Sequence, residues 1–327
     1  MTMLFEPELA LTDRPSVIEA FRNDVLAGLA TRPRAIPARW FYDEPGCRLF
    51  DAITELPEYY LTRNETALLE RHASAIATLA GPIGTLVEFG SGSATKTPLL
   101  LRAIDPSTYV PIDIAGETLN DSAATLGTAF PRLDIVPLEG DFMAPMALPP
   151  SAHPRRFGFF PGSTIGNFDP ATAVDLLRNF ATMLGEGSLL LIGMDRVKEG
   201  RELLSAYDDP AGVTASFNRN LVERINRELE GDIPINNFRH HAVWNERASR
   251  IEMHLEAIAD CHFSVARRNF SIAGGETIHT ENSYKFGLRD AHMLLHAGTW
   301  SPLAEWVDPE ARFMLILARA TARITAP

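Results

Sequence analysis

The chain is 327 residues long, 46% hydrophobic and 22% charged, the composition of a globular protein large enough for one big domain or two unequal ones. Its 42 acidic residues against 30 basic ones give a formal charge of −12, which repels phosphate backbones and anionic lipid and excludes nucleic acid and membrane as expected partners. No apolar run reaches the ~18 residues of a membrane-spanning helix, Cys47 and Cys261 are too few for a disulfide framework, and the acidic start lacks the basic flank of a secretory leader, so the cytoplasm is the expected compartment.

Over residues 15–29, Val17, Ile18, Phe21, Val25 and Leu29 recur at helical spacing, with Asp13 as the expected cap and Pro33 and Pro37 beyond the end. An aromatic, turn-rich stretch follows, Trp40-Phe41-Tyr42-Asp43 and then Leu56-Pro57-Glu58-Tyr59-Tyr60. A second helix is predicted over 63–79, stopped by Gly81-Pro82. Short apolar strands are predicted at 85–89, 109–114, 133–138, 157–160 and 188–194, each separated by helical pattern. That alternation predicts a parallel sheet covered on both faces, wound in right-handed crossovers. After Asp195 the rhythm breaks. A long amphipathic helix is expected at 210–229, with Val213, Phe217, Leu221, Ile225 and Leu229 on one face. Alternating runs at 251–258 and 263–272 and a last strand at 313–318 complete the chain. The expected division is a nucleotide-type core of residues 63–198 plus 286–327, and a substrate-recognition part of residues 1–62 plus 199–285.

The first strand of the core, Val87-Glu88-Phe89, runs into Gly90-Ser91-Gly92 and then a helix. Glycines there admit a ligand close to the backbone, and a helix N-terminus offers free N–H groups. A plain tight turn accounts for a lone G-x-G equally well. The dinucleotide pattern G-x-G-x-x-G is not met, because Thr95 stands where the third glycine belongs, and no Gly-Lys-Ser/Thr marks a P-loop. Asp113 ends the second strand and Asp141-Phe142 follows the third. An acid after the second strand suits a ribose diol, and an Asp-Phe pair suits an adenine. Each acid alone reads as a solvated strand end. Together, and in this order, they resemble the S-adenosylmethionine site of class I methyltransferases.

Further motifs stand in order along the chain: Gly162-Ser163-Thr164-Ile165-Gly166-Asn167, Tyr207-Asp208-Asp209, Phe217-Asn218-Arg219-Asn220 and Glu281-x-Ser283-x-Lys285-Phe286. With the aromatic motifs and the glycine turn, they make the sequence similar to the histidine Nα-methyltransferases of ergothioneine biosynthesis, from Trp40 to the last strand. The resemblance implies an α/β fold, a doubly wound class I methyltransferase (Rossmann-like) core with an inserted substrate-binding α+β domain. It implies three methyl transfers from S-adenosylmethionine to the α-amino group of L-histidine, giving hercynine; no metal is expected, and a monomer is the default expectation. Carried over by motif, Gly90, Lys96, Asp113, Asp141 and Phe142 would bind the methyl donor. Tyr59, Gly162, Asn167, Tyr207, Met253, Glu281, Asn282 and Ser283 would line the histidine pocket, with Tyr42 and Asn167 at the reacting amine.

These residue types suit that chemistry. The nucleophile is a neutral amine, which the oxygen of Asn167 and the hydroxyl of Tyr42 would aim. No dedicated base is evident. Phe41, Tyr42 and Phe142 offer aromatic faces to a quaternary ammonium product. Tyr59 and Tyr207 would donate to the carboxylate. Glu281 and Ser283, two apart on an extended segment, would accept from and donate to the imidazole ring. Purely structural roles suit some of the same residues: the aromatic motif as a staple between segments, Asn167 in a turn, Met253 in the core. His240, His241 and His254 lack a carboxylate or cysteine at ligand spacing and read as ordinary histidines. An apolar residue in place of Glu281 would mark a relative acting on another amino acid. A nicotinamide oxidoreductase and a non-catalytic S-adenosylmethionine-binding module are the rival classes.

Overall fold

A computed structural model describes residues 17–144, 146–150 and 155–321; the expected cap Asp13 and the helix start at Pro15 lie outside the described residues. Helix α1 spans Val17–Ala30 and buries Phe21, Val25, Leu26 and Leu29, the predicted face. A two-residue strand, β1 (Arg34–Ala35), leads through a 3-10 turn (Ala38–Phe41) into α2 (Glu44–Thr54) and α3 (Tyr60–Ala80). The core then alternates: β2 (Thr85–Phe89), α4 (Thr97–Ile104), β3 (Thr108–Asp113), α5 (Gly116–Ala129), β4 (Asp134–Ile135), β5 (Leu138–Glu139), β6 (Arg156–Phe160), α6 (Pro170–Leu184) and β7 (Leu189–Asp195). Beyond it come α7 (Gly200–Tyr207), α8 (Val213–Glu228), β8 (Phe238–Asn245), β9 (Arg250–Ala257), β10 (Cys261–Val265), β11 (Arg268–Ile272), β12 (Thr277–Tyr284), α9 (Leu288–Ala297), β13 (Trp300–Val307) and β14 (Phe313–Ala320).

Two sheets organise the molecule. The large one runs β13-β14-β7-β6-β2-β3-β4, with β5 also paired to β3. From β7 to β4 every pairing is parallel, and every residue of β2 and β7 is buried, as strands covered on both faces require. The chain builds outward from β2 to β3 on one side and later returns to β6 on the other, so the sheet's switch point lies at the carboxyl ends of β2 and β6. The small sheet runs β1-β12-β9-β8. Helix α8 lies against β8 and β9 with Phe217, Leu221 and Ile225 buried, each worth roughly 1.5–3 kcal/mol of transfer free energy.

Beyond elements that the sequence reading leaves unassigned, such as β8, α9 and β13, four features depart from its expectation. The sheet is not wholly parallel: β14 is antiparallel to β7, and β13 to β14, because a short turn joins the last two strands as a hairpin. The run 133–138 is split into β4 and β5, where Pro137 has no N–H for a continuous ladder. The run 263–272 folds back on itself as β10 and β11 through Ala266 and Arg267, both at positive φ (48° and 65°). The stretch after Asp43 is a helix, α2: the Asp43 carboxylate caps the Gly46 N–H at 2.8 Å, and Pro45 sits in the first turn, where its missing N–H costs nothing. Among the described residues no helix is long and apolar enough to cross a membrane.

Candidate active site

A cavity of about 680 Å³ opens at the switch point, walled by the strand ends of the large sheet, the residues before and within α2, and β12 of the small sheet. On the core side, Gly90 (φ +73°) and Gly92 (φ +49°) turn the chain away from β2 toward α4. Asp113, at the end of β3, holds that turn: one carboxylate oxygen accepts from the Gly92 N–H at 2.8 Å and the other from the Ala115 N–H at 3.0 Å. Each oxygen keeps a second lone pair, and the carboxylate lines the cavity. Ser91 Oγ, in the same wall, is buried with no hydrogen-bond partner among the described residues. Asp141 accepts from the Met143 N–H at 2.9 Å and from Arg39 at 2.7 Å, and Arg39 also bridges to Asp24 at 2.6 Å. Phe142 stands edge-on to Phe160 and Phe168. A bare glycine turn, a carboxylate beside it, an aromatic face and an orphaned hydroxyl together fit a nucleoside-bearing ligand such as S-adenosylmethionine.

Lys96 also lines the cavity, and its ammonium is paired with Glu65 on α3. The Glu65 carboxylate is fully buried, and both of its oxygens accept from the Gly162 N–H, at 2.9 and 3.1 Å. It therefore ties the wall that carries Lys96 to the loop after β6. Glu88, another buried acid in the wall, accepts from Tyr109 and Thr97; burial pushes it up to about 7 against those hydrogen bonds. The sequence alone assigns neither acid a role. The one signal for Glu65 is an acid on the apolar face of a helix.

On the opposite side, Gly162 (φ +75°) and Ser163 (φ +58°) start the loop after β6, which closes as a 3-10 turn over Thr164–Asn167. A Cβ on Gly166 would stand 2.8 Å from the Tyr284 carbonyl oxygen, so the bare glycine lets this turn lie directly on β12. That contact brings Asn167 and Glu281 into the same cavity, with Tyr42, Tyr59 and Asn282. The Tyr42 ring meets Phe50 and Phe217 edge-on. Desolvation, with the nearby Glu281 charge second, raises the Tyr42 hydroxyl well above its ordinary value; Tyr59 is raised likewise by its burial. Both are donors at neutral pH and not bases. Desolvation also pushes the Glu281 carboxyl up to about 8, with Lys285 opposing. Asn282 Oδ1 is buried in the cavity wall with no hydrogen-bond partner among the described residues.

Three expected pocket residues lie one layer back. Tyr207, Met253 and Ser283 are buried and do not line the cavity. Met253 stands opposite Glu281 across the β9–β12 ladder. The Tyr207 and Ser283 hydroxyls, expected at opposite ends of the substrate, lie 2.7 Å apart in one hydrogen-bonded group. Lys285 donates to each at 2.8 Å and pairs with Asp195 at 2.8 Å. The sequence gives Lys285 no role of its own, although it continues the 281–283 alternation by one step.

Several motif residues brace the site. Asp43 accepts from Asn220 at 2.7 Å and from Arg227, which locks the aromatic motif to α8. Asp209 accepts from the N–H groups of Val213 and Thr214, capping the same helix. Asn218, fully buried, donates to the His254 carbonyl and accepts from Thr280. Among the described residues no group of three or more His, Cys, Asp and Glu is placed to hold a metal. Cys47 is in the cavity wall, and burial pushes its thiol up to about 11, away from the reactive thiolate.

Comparison with known proteins points the same way. The family described as "Histidine-specific methyltransferase, SAM-dependent" matches residues 21–320. The histidine N-alpha-methyltransferase of Mycolicibacterium smegmatis is 41% identical over 309 residues, covering 93% of this chain and 96% of its own. Ergothioneine biosynthesis protein 1 of Neurospora crassa is 27% identical over 301 residues, which is 88% of this chain but 33% of that longer protein. Among solved structures, an S-adenosylmethionine-dependent methyltransferase from Clostridium acetobutylicum aligns with a TM-score of 0.50 at 10% identity, over 84% of this chain and 99% of its own, a likeness of fold alone.

Proposed function

Because the chain belongs to the histidine-specific, S-adenosylmethionine-dependent methyltransferases, we propose that it transfers three methyl groups in succession to the α-amino group of L-histidine, giving hercynine for ergothioneine biosynthesis. The observation that carries this is the single cavity in which the glycine turn and Asp113 face Asn167, Tyr59 and Glu281. Residues 63–198 and 286–327 form the methyl-donor core in this scheme, and residues 1–62 and 199–285 supply substrate recognition.

S-Adenosylmethionine, when bound, supplies a methyl group on a sulfonium centre, an electrophile ready for in-line displacement. Gly90, Lys96, Asp113, Asp141 and Phe142 are the residues that would hold it. The chain's own task is to present a neutral amine lone pair. Asn167 Oδ1 accepts an amine hydrogen, and Tyr42 stays protonated and positions the amine from the other side. Neither tyrosine in the cavity can take a proton, so the protons released in the successive transfers leave through water. The product cation's nitrogen has no N–H to donate, and the Tyr42 face receives its charge. Tyr59 donates to the substrate carboxylate, and Glu281 accepts from the imidazole N–H.

Mass spectrometry of L-histidine incubated with the protein and S-adenosylmethionine tests this directly. Products heavier by one, two and three methyl groups are expected. No shift for histidine, together with a shift for another amino acid, would overturn the substrate assignment.

A further inference from the structure

Glu65 stands behind the point where two walls of the cavity meet. It lies on the buried face of α3 with Leu61, Leu68 and Leu69, has no exposed surface and does not itself line the cavity. Its two partners do: Lys96 on the glycine-turn side, and Gly162 at the start of the loop after β6. A Cβ on Gly162 would stand 4.0 Å from Lys96 Nζ, so the bare glycine leaves ammonium and loop close together.

One oxygen atom serves both partners. Glu65 Oε2 accepts from Lys96 Nζ and, at 2.9 Å, from the Gly162 N–H, while Oε1 receives the longer arm of the Gly162 contact at 3.1 Å. Lys96 spends one of its three protons there, and the other two have no hydrogen-bond partner among the described residues. The neighbouring buried acid, Glu88, uses its Oε2 for Tyr109 and Thr97 instead. Beyond Gly162 the loop is pinned again, by the Asp195 N–H donating to Ser163 Oγ at 2.9 Å and by the seat of Gly166 on Tyr284, before it delivers Asn167 to the cavity.

Two donors on one carboxylate oxygen compete for it. A ligand carboxylate at the two remaining protons of Lys96 takes over part of the ammonium's pull. Oε2 then turns more fully to Gly162, at the root of the loop that aims the amine. S-Adenosylmethionine and S-adenosylhomocysteine each carry such a carboxylate, on the amino-acid end remote from the adenine.

Resting on the substrate and methyl-donor assignments above, we propose that Glu65 is a positioning residue that couples the two halves of the site: filling the Lys96 wall tightens the loop that receives histidine. Linkage requires the reverse, so histidine tightens the hold on the methyl donor by the same factor.

S-Adenosylhomocysteine has no methyl group to transfer, so the coupling can be measured without turnover. Calorimetry gives the Kd of L-histidine alone and with S-adenosylhomocysteine held well above its own Kd in each protein. Wild type should bind histidine about tenfold tighter in its presence. Glu65→Gln keeps an amide oxygen for the Gly162 N–H but has no charge for Lys96, so the ratio should fall to within about twofold of one. The unpaired Lys96 ammonium should also lower the Tm of that variant. A Glu65→Gln/Lys96→Met double variant removes both charges together, and should show the same collapsed ratio with a Tm nearer wild type. A glutamate that only supports the fold would raise both histidine Kd values by one factor and leave their ratio alone. A wild-type ratio of one or less, or the wild-type ratio retained in either variant, overturns the proposal. Histidine that binds wild type under neither condition would instead overturn the substrate assignment on which it rests.

Discussion

Replacing Glu281 with alanine tests substrate choice most sharply. The carboxyl lines the cavity and stands across the ladder from Met253. Alanine deletes the acceptor for the ring N–H and leaves that donor facing an apolar gap, at a cost of about 1–3 kcal/mol for an unsatisfied polar group. Histidine kcat/KM should therefore fall roughly 5- to 150-fold, since each 1.4 kcal/mol is a factor of ten. The same change enlarges the pocket and makes it less polar, so tryptophan and phenylalanine should lose less, or gain. The assay is the histidine-to-tryptophan ratio of kcat/KM in both proteins. An unchanged ratio would refute Glu281 as the reader of the side chain. Stability supplies an independent check. The folded-state pKa of Glu281 is raised to about 8 from an ordinary value of 4.5. Ionising it opposes the fold, so stability present below about pH 4.5 is lost as pH climbs through 8. Glu281→Ala lacks that loss, and its Tm relative to wild type should improve from about pH 5 to pH 8.5.

Asp113→Asn should weaken S-adenosylmethionine binding by about 1.5–3 kcal/mol in calorimetry, with far less effect on histidine, because an amide retains one acceptor where the Gly92 turn and the ligand together need two oxygens. Asn167→Ala should cut turnover strongly while calorimetric binding of the methyl donor persists; a loss of only about twofold, ~0.4 kcal/mol, would reduce Asn167 to a turn residue. Gly166→Ala drives a Cβ to 2.8 Å from the Tyr284 carbonyl oxygen, so kcat should fall with a lower Tm, and wild-type values for both would show that the 3-10 turn is free to shift.

Much of the fold is legible in the sequence because its cause is local. The central strands β2, β6, β7 and β14 of the large sheet are largely buried, mostly apolar runs, and the buried face of α8 follows a spacing of four. What escapes depends on partners distant in sequence or on single turns. The stretch between the two aromatic motifs carries no helix in the sequence reading, yet Glu44-Pro45-Gly46 is the first turn of one once Asp43 caps it. The antiparallel edge formed by β13 and β14 depends on how the chain returns to β7, which no window of residues states. At the site, the glycine turn and the acids at strand ends are visible only jointly, because each alone reads as a turn or a solvated strand end and their order along successive strands is what points to a ligand. Glu65 and Lys285 are not, because a charge inside an apolar pattern gives no hint of its partner. The shared cluster of Tyr207 and Ser283 joins residues 76 apart, so the sequence alone sends them to separate ends of one substrate.

Gly193 lies in the middle of β7 and does not line the cavity, yet its missing side chain has a long reach. A Cβ there would fall 2.1 Å from Glu65 Oε1 and 3.0 Å from the Phe313 ring. Glu65 has little freedom to withdraw, since it is held by Lys96 and by the Gly162 N–H. A methyl group at Gly193 would therefore dislodge the carboxylate that fixes both the lysine of one wall and the loop of the other. A saturation mutagenesis map scored by product formation would rank this interior glycine with the ligand-facing residues, and a ranking by distance from the substrate would pass over it.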